Sequence, residues 1–123
     1  MGIASESLEK IVKKMNKIPK AQQVFVTDVG GKPINWNMIF QFNLKGEVPF
    51  YLTIKEKNVS ITLGTAIEAG IIMTGDNNAI VKICNGKGDF THAISREEIT
   101  VNKGKVIDVI RLTRAITIVL KIK

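Results

Sequence analysis

The sequence predicts an α+β fold in which about four or five helices cover one face of a five-stranded, mostly antiparallel sheet. Between Met38 and Leu63, three short runs alternate large apolar residues with polar or small ones. Two further short extended segments lie at Gly70 to Thr74 and around Ile99 to Val101. Apolar residues at helical spacing precede and follow these strands. An alternating strand greases one face of its sheet only, so the helices are needed to cover it.

Taken in order, Ser5 or Ser7 can cap a first helix whose Leu8, Ile11, Val12, Met15 and Ile18 follow the i, i+3, i+4 rule and which stops before Pro19. Lys10, Lys13, Lys14 and Lys17 fall largely on its other side. Lys20 to Val26 fits a short helix, and Val24 to Val29 fits a strand equally well; Gly30 to Pro33 reads as a loop. Trp36 is expected at the edge of the core. The meander follows, with Met38, Phe40, Phe42 and Leu44, then Phe50, Leu52 and Ile54, then Val59, Ile61 and Leu63 on one face. Asp76 or Asn77 can cap a helix that carries Ala79, Ile80, Ile83 and Cys84 and ends at Gly86. Asp89 can cap another, with Phe90, Ala93 and Ile94 at helical spacing. In the last segment Lys105 to Ala115 suits a helix, whereas Ile116, Ile118, Leu120 and Ile122 alternate as in a strand.

The 123 residues, 45% apolar, suffice for a single domain over residues 1–123 without disulfides or metals. Cys84 is the single cysteine, and no signal-peptide run or apolar membrane-length stretch is present, so a reduced, cytoplasmic setting is expected. The N-terminal MGIASE has Glu6 where a myristoylation signal needs Ser or Thr. A formal charge of +7 favours anionic partners without choosing among them, and the basic first helix could rest on an acidic membrane surface.

Catalytic parts are sparse. His92 is the single histidine, and a dyad with Cys84 would have no acid placed to orient the ring. Glu97 and Glu98, read as successive strand residues, would point to opposite faces. Gly86-Lys87-Gly88 follows a helix rather than a strand and reads as a helix stop, not a phosphate loop. The chain is therefore expected not to be an enzyme and to need no cofactor or metal. The sheet phenylalanines share the apolar face, away from the lysines, which disfavours nucleic acid as a partner.

Several stretches in register resemble the sterol carrier protein type two family, in particular small stand-alone prokaryotic-type members. Phe40-Gln41-Phe42-Asn43-Leu44-Lys45-Gly46 is similar to the family's first strand, and Ile54-Lys55 to its Leu/Val-Lys. Gly70 to Thr74 resembles the fourth strand, Asp76 to Lys87 the helix ending in Gly-Lys, and Ala93-Ile94, Ile99-Thr100-Val101 and Gly104 the closing elements. The chain departs from the pattern at Gly88-Asp89, around Arg96-Glu97 and at Thr53.

The resemblance implies an apolar tunnel between sheet and helices that takes a fatty acyl, fatty acyl-CoA, sterol or isoprenoid ligand, in a non-catalytic lipid carrier. The residues expected to line it are Leu52, Ile54, Ile71, Met73, Ile80, Ile83, Phe90, Ile94, Ile99, Val101, Ile107 and Ile110. The alternative is a structural domain that docks onto an acyl-CoA-metabolising enzyme.

Overall fold

The computed structural model describes residues 2–121. In chain order its elements are α1 (Ile3–Met15), α2 (Pro19–Gln22), a 3-10 turn (Gln23–Phe25), β1 (Val26–Val29), β2 (Lys32–Asn35), β3 (Met38–Lys45), β4 (Phe50–Lys55), β5 (Asn58–Leu63), β6 (Ile71–Asp76), α3 (Asn77–Cys84), α4 (Phe90–Ser95), β7 (Ile99–Lys103) and α5 (Val106–Lys121). The main sheet has five strands in the order β5-β4-β3-β6-β7, and the fold is α+β as the alternating segments require.

The meander pairs in the register its alternation demands. Leu52 stands opposite Phe40 on one side and Ile61 on the other; Phe50 stands opposite Phe42 and Leu63. A β6 that is parallel to β3 then sets Ile71 beside Phe40 and Met73 beside Phe42, and antiparallel β7 continues the row with Val101 beside Met73. The apolar side chains of the strands thus form continuous rows beneath the helices. Phe42 stacks on Phe50 with ring centroids 4.9 Å apart, and Phe90 of α4 meets Phe42 at 6.5 Å. Each fully buried aromatic of this kind stabilises the fold by about 1.5–3 kcal/mol through transfer from water.

Placing β6 beside β3 requires the chain to cross the sheet from β5. Residues 64–70 do so over the opposite, polar face, where Gln41 holds them. Its Nε2 donates to the carbonyls of Phe50 and Gly64 at 3.2 Å, and its Oε1 accepts from Ala66 N at 2.8 Å. Gln41 is buried in consequence, although alternation alone puts it on the solvent side.

Three helix boundaries differ from expectation, for long-range or local polar reasons. The first helix starts at Ile3, not after Ser5 or Ser7, because the Glu47 carboxylate in the β3–β4 connection accepts from Ala4 N at 2.9 Å and Ser5 N at 3.2 Å. It ends at Met15, ahead of Ile18. The last helix continues through Lys121; Val109, Leu112, Ile116 and Val119 are also spaced for one helical face, and all are buried. Ile122, the last residue of the alternating run, lies outside the described residues. By contrast α3 is bounded as expected. Asp76 Oδ1 accepts from Asn78 N at 2.9 Å, and after Cys84 the Gly86 and Lys87 amides close a Schellman pair onto the Ile83 and Lys82 carbonyls at 3.1 and 2.9 Å.

Both readings of residues 20–29 are partly realised, as α2 and a 3-10 turn to Phe25 and then strand from Val26. Gly30 and Gly31, with φ of 60° and 84°, close a two-residue turn between Val29 and Lys32, so Lys32 and Pro33 belong to a strand rather than a loop. Trp36 sits at the core edge, as expected. It stacks on Phe25 with centroids 6.2 Å apart and lies under the Arg111 guanidinium at 4.9 Å, while Arg111 Nη1 donates to the Val24 carbonyl at 2.8 Å.

Candidate functional site: an open groove at the free edge of the sheet

β7 is the outermost strand on its side of the sheet. Asp76 N donates to the Glu98 carbonyl at 3.0 Å, which fixes the hydrogen-bonding phase. Counting alternately along the ladder, Thr100 turns its backbone groups toward β6, and Ile99 and Val101 turn theirs outward. Along this edge runs an open groove of about 540 Å³ lined by Ile94 at the end of α4, Glu97, Ile99, Thr100 and Val101, and Val106 at the start of α5. The short Gly104-Lys105 connection places the start of α5 beside the strand it has just left. A second open groove, about 360 Å³, lies at the start of β3 and the end of β4, against Glu68 of the crossing segment. Its lining mixes Met38, Ile39 and Ile54 with Asn37, Thr53, Lys55 and Glu68.

The residues predicted to line a tunnel separate into three groups. Leu52, Ile54, Ile71, Met73, Ile80, Ile83, Phe90 and Ile99 are buried members of one continuous core, where they pack against each other and their neighbours. Ile94 and Val101 are half-buried and, with Ile99, meet in the β7 groove. Ile107 and Ile110 do not face the interior: they are 70% and 37% exposed on the outer side of α5. The correction is a matter of helical phase, because α5 buries Val109, Leu112, Ala115, Ile116 and Val119 and so turns Ile107 and Ile110 outward.

Glu97, Thr100 and Val106 were not foreseen as lining residues. For Val106 a signal was available, since a two-residue link after the strand leaves the first helical residue within reach of the strand edge. Glu97 was misread: it lies in a turn with φ of 62°, and Glu98 N donates to the Ala93 carbonyl at 2.9 Å, so neither glutamate is a strand residue.

The reactive side chains lie apart from this groove. His92 does have an acid beside it, contrary to expectation. Asp89 Oδ1 caps α4 through His92 N at 2.9 Å and lies 3.1 Å from His92 Nδ1, but the imidazole is 70% exposed. Cys84 is buried against the core, and desolvation pushes its thiol up to about 12, so it carries no thiolate at neutral pH. Among the described residues no three His, Cys, Asp or Glu side chains are grouped to hold a metal ion, and no helix is long and apolar enough to cross a membrane. The groove offers the apolar side chains of Ile94, Ile99, Val101 and Val106 together with the Glu97 carboxylate and Thr100.

No protein-family model matches the chain, and no curated protein matches it in sequence. Solved structures nevertheless share its fold at low identity. The UbiJ-SCP2 ubiquinone synthesis protein superposes with a TM-score of 0.67 at 15% identity over 94% of both chains. A crystal structure of sterol carrier protein 2 gives 0.65 at 12% identity, covering all of this chain and 98% of its own. Sterol carrier protein 2 from Aedes aegypti, solved in complex with the C16 fatty acid palmitate, gives 0.60 at 16% identity over 94% of this chain and 96% of that one. The chain has the sterol carrier protein 2 fold.

Proposed function

Starting from a sterol carrier protein 2 fold, we propose that the chain is a non-catalytic lipid carrier that takes an apolar chain (fatty acyl, fatty acyl-CoA, sterol or isoprenoid) into the groove between β7, α4 and α5. The observation that carries this reading is the convergence of Ile94, Ile99 and Val101 with Val106 around about 540 Å³ of open space at a strand edge. That volume falls within the roughly 300–1,000 Å³ of small-molecule sites. An alkyl chain entering it gains about 0.8 kcal/mol for each methylene withdrawn from water. Lys103, the last residue of β7, and Lys105, in the turn after it, are both exposed and can hold a carboxylate or phosphate head group in charge-assisted hydrogen bonds. Palmitate bound by a protein of the same fold supports the ligand class. Cytoplasmic location and single-domain action belong to the same proposal.

The test is displacement of a fluorescent fatty acid, together with native mass spectrometry of the purified protein. Bound or displaceable lipid is expected. Silence across fatty acids, acyl-CoAs and isoprenoids sinks the reading.

A second reading rests on the interior. Because Leu52, Ile71, Met73, Ile80 and Phe90 are fully buried against the protein's own side chains, the domain can act by docking onto an acyl-CoA-metabolising enzyme without carrying lipid. Co-purification with such an enzyme while lipid assays stay silent would select it.

A further inference from the structure

We propose that the outer face of the first half of α5, with the turn before it, docks onto an anionic lipid bilayer. Val106, Ile107 and Ile110 are all exposed there, Ile107 at 70%. With a helical repeat of about 100° per residue, the buried residues of α5 lie on one side, and Val106, Ile107, Ile110 and the exposed Arg114 lie on the other. Lys103 at the end of β7 and Lys105 in the turn after it, both exposed, flank the apolar patch at one end, and Arg114 flanks it at the other. The acidic groups nearby are Asp108, which the same count places on the opposite side of the helix, and Glu97, inside the groove. Arg111 is already engaged with Val24 and Trp36.

An apolar centre with a cationic rim is complementary to a bilayer carrying negative head groups: the isoleucines enter the acyl boundary and the cations stay among the phosphates. The lysine-rich α1 does not offer this combination. Leu8, Ile11, Val12 and Met15 are spent on the core, and the exposed Ile3 stands alone in the first turn, seven residues ahead of Lys10, so α1 has no apolar cluster to insert among its lysines. Membrane contact is therefore assigned to α5. Val106 belongs both to this patch and to the groove, so docking would open the groove's rim onto the lipid phase. That consequence rests on the carrier reading; the docking itself does not.

Flotation of the full chain with vesicles of equimolar phosphatidylcholine and phosphatidylglycerol tests the assignment. Binding is expected to these vesicles, to weaken with salt, and to be absent with phosphatidylcholine alone. Ile107→Ser with Ile110→Ser should lower the partition coefficient at least about tenfold, and Lys103→Gln with Lys105→Gln about tenfold or more. Lys13→Gln with Lys14→Gln on α1, or Ile67→Ser at the fully exposed Ile67 of the crossing segment, should leave it within about twofold. The proposal is overturned by absence of binding to anionic vesicles, or by binding that the α1 pair abolishes and the α5 pairs do not. It is also overturned by light scattering that shows a dimer dissociated by Ile107→Ser with Ile110→Ser, which would make the patch a contact between copies. Fatty-acid displacement by Ile107→Ser with Ile110→Ser, which leaves every groove and head-group residue in place, reads the carrier function separately, so either reading can fail while the other stands.

Discussion

At its β5 edge the sheet is sealed by a side chain from α1: Asn16 Nδ2 donates to the Val59 carbonyl and Asn16 Oδ1 accepts from Val59 N, both at 2.8 Å. One carboxamide thus reproduces what a neighbouring strand would offer, and Val59 is buried beneath α1. At the β7 edge Ile99 and Val101 turn their backbone groups outward, beside the open groove between α4 and α5. Open edges invite pairing with other chains, and proteins ordinarily cover or charge them. This chain covers one and builds its candidate site along the other. Beneath the helices the sheet's apolar residues are packed shut, whereas the β7 edge beside α4 and α5 borders the larger of the two open grooves described above.

That contrast is broken most directly from the packed side. Phe42→Ala removes a ring stacked on Phe50 and touching Phe90, and should cost about 3–5 kcal/mol in urea unfolding. A cost below about 1 kcal/mol would mean that this region too is loosely filled. Alkaline titration probes the same half through Cys84, whose folded thiol is raised from 9.0 to about 12. Below the ordinary thiol range both states keep the proton. As pH rises from 9.0 toward 12 the unfolded state ionises first, so stability should fall across that window in the wild type, and the thiol component of that fall should vanish in Cys84→Ala. Curves of equal slope would contradict the burial.

Asn16→Ala removes both bonds to Val59 and should cost about 1–3 kcal/mol, with more concentration-dependent aggregation than wild type. Glu47→Ala withdraws the acceptor from the start of α1 at a cost of about 1 kcal/mol, visible as earlier thermal loss of helical circular dichroism. At the other edge, Val101→Trp should change stability by no more than about 0.5 kcal/mol yet abolish displacement of a fluorescent fatty acid by filling the groove. Retained displacement would move the ligand elsewhere.

Much of this architecture is legible in the chain. Phe40, Phe42 and Leu44 announce their common face by alternation, and Asp76, Asp89 and Gly86 mark the helix boundaries through local hydrogen bonds that need only a few neighbouring residues. The site is less legible. Ile94, Ile99 and Val101 were named, but alongside Leu52, Met73 and Phe90, which are equally apolar and fill the core. An apolar side chain carries the same signal whether it faces a cavity or another side chain. β1 falls within the strand reading of Val24 to Val29, but its partner β2 reads as loop because its exposed residues have no buried face to produce a pattern.

By itself the sequence determined the period of each element: two in the strands and 3.6 in α1, α3 and α4, since the apolar spacing there admits one conformation that can bury its face. It determined the absence of a familiar catalytic motif as well. Tertiary structure decided everything that depends on partners distant along the chain. Both periods are present in residues 106–121, and helix prevails because Val109, Leu112, Ile116 and Val119 find the core on one side. Asn16 and Glu47 become the seals of a strand edge and a helix end only when residues 43 positions away arrive. Parallel placement of β6 beside β3 makes β7 the outer strand, and with it decides which edge carries the groove and which isoleucines are left facing solvent.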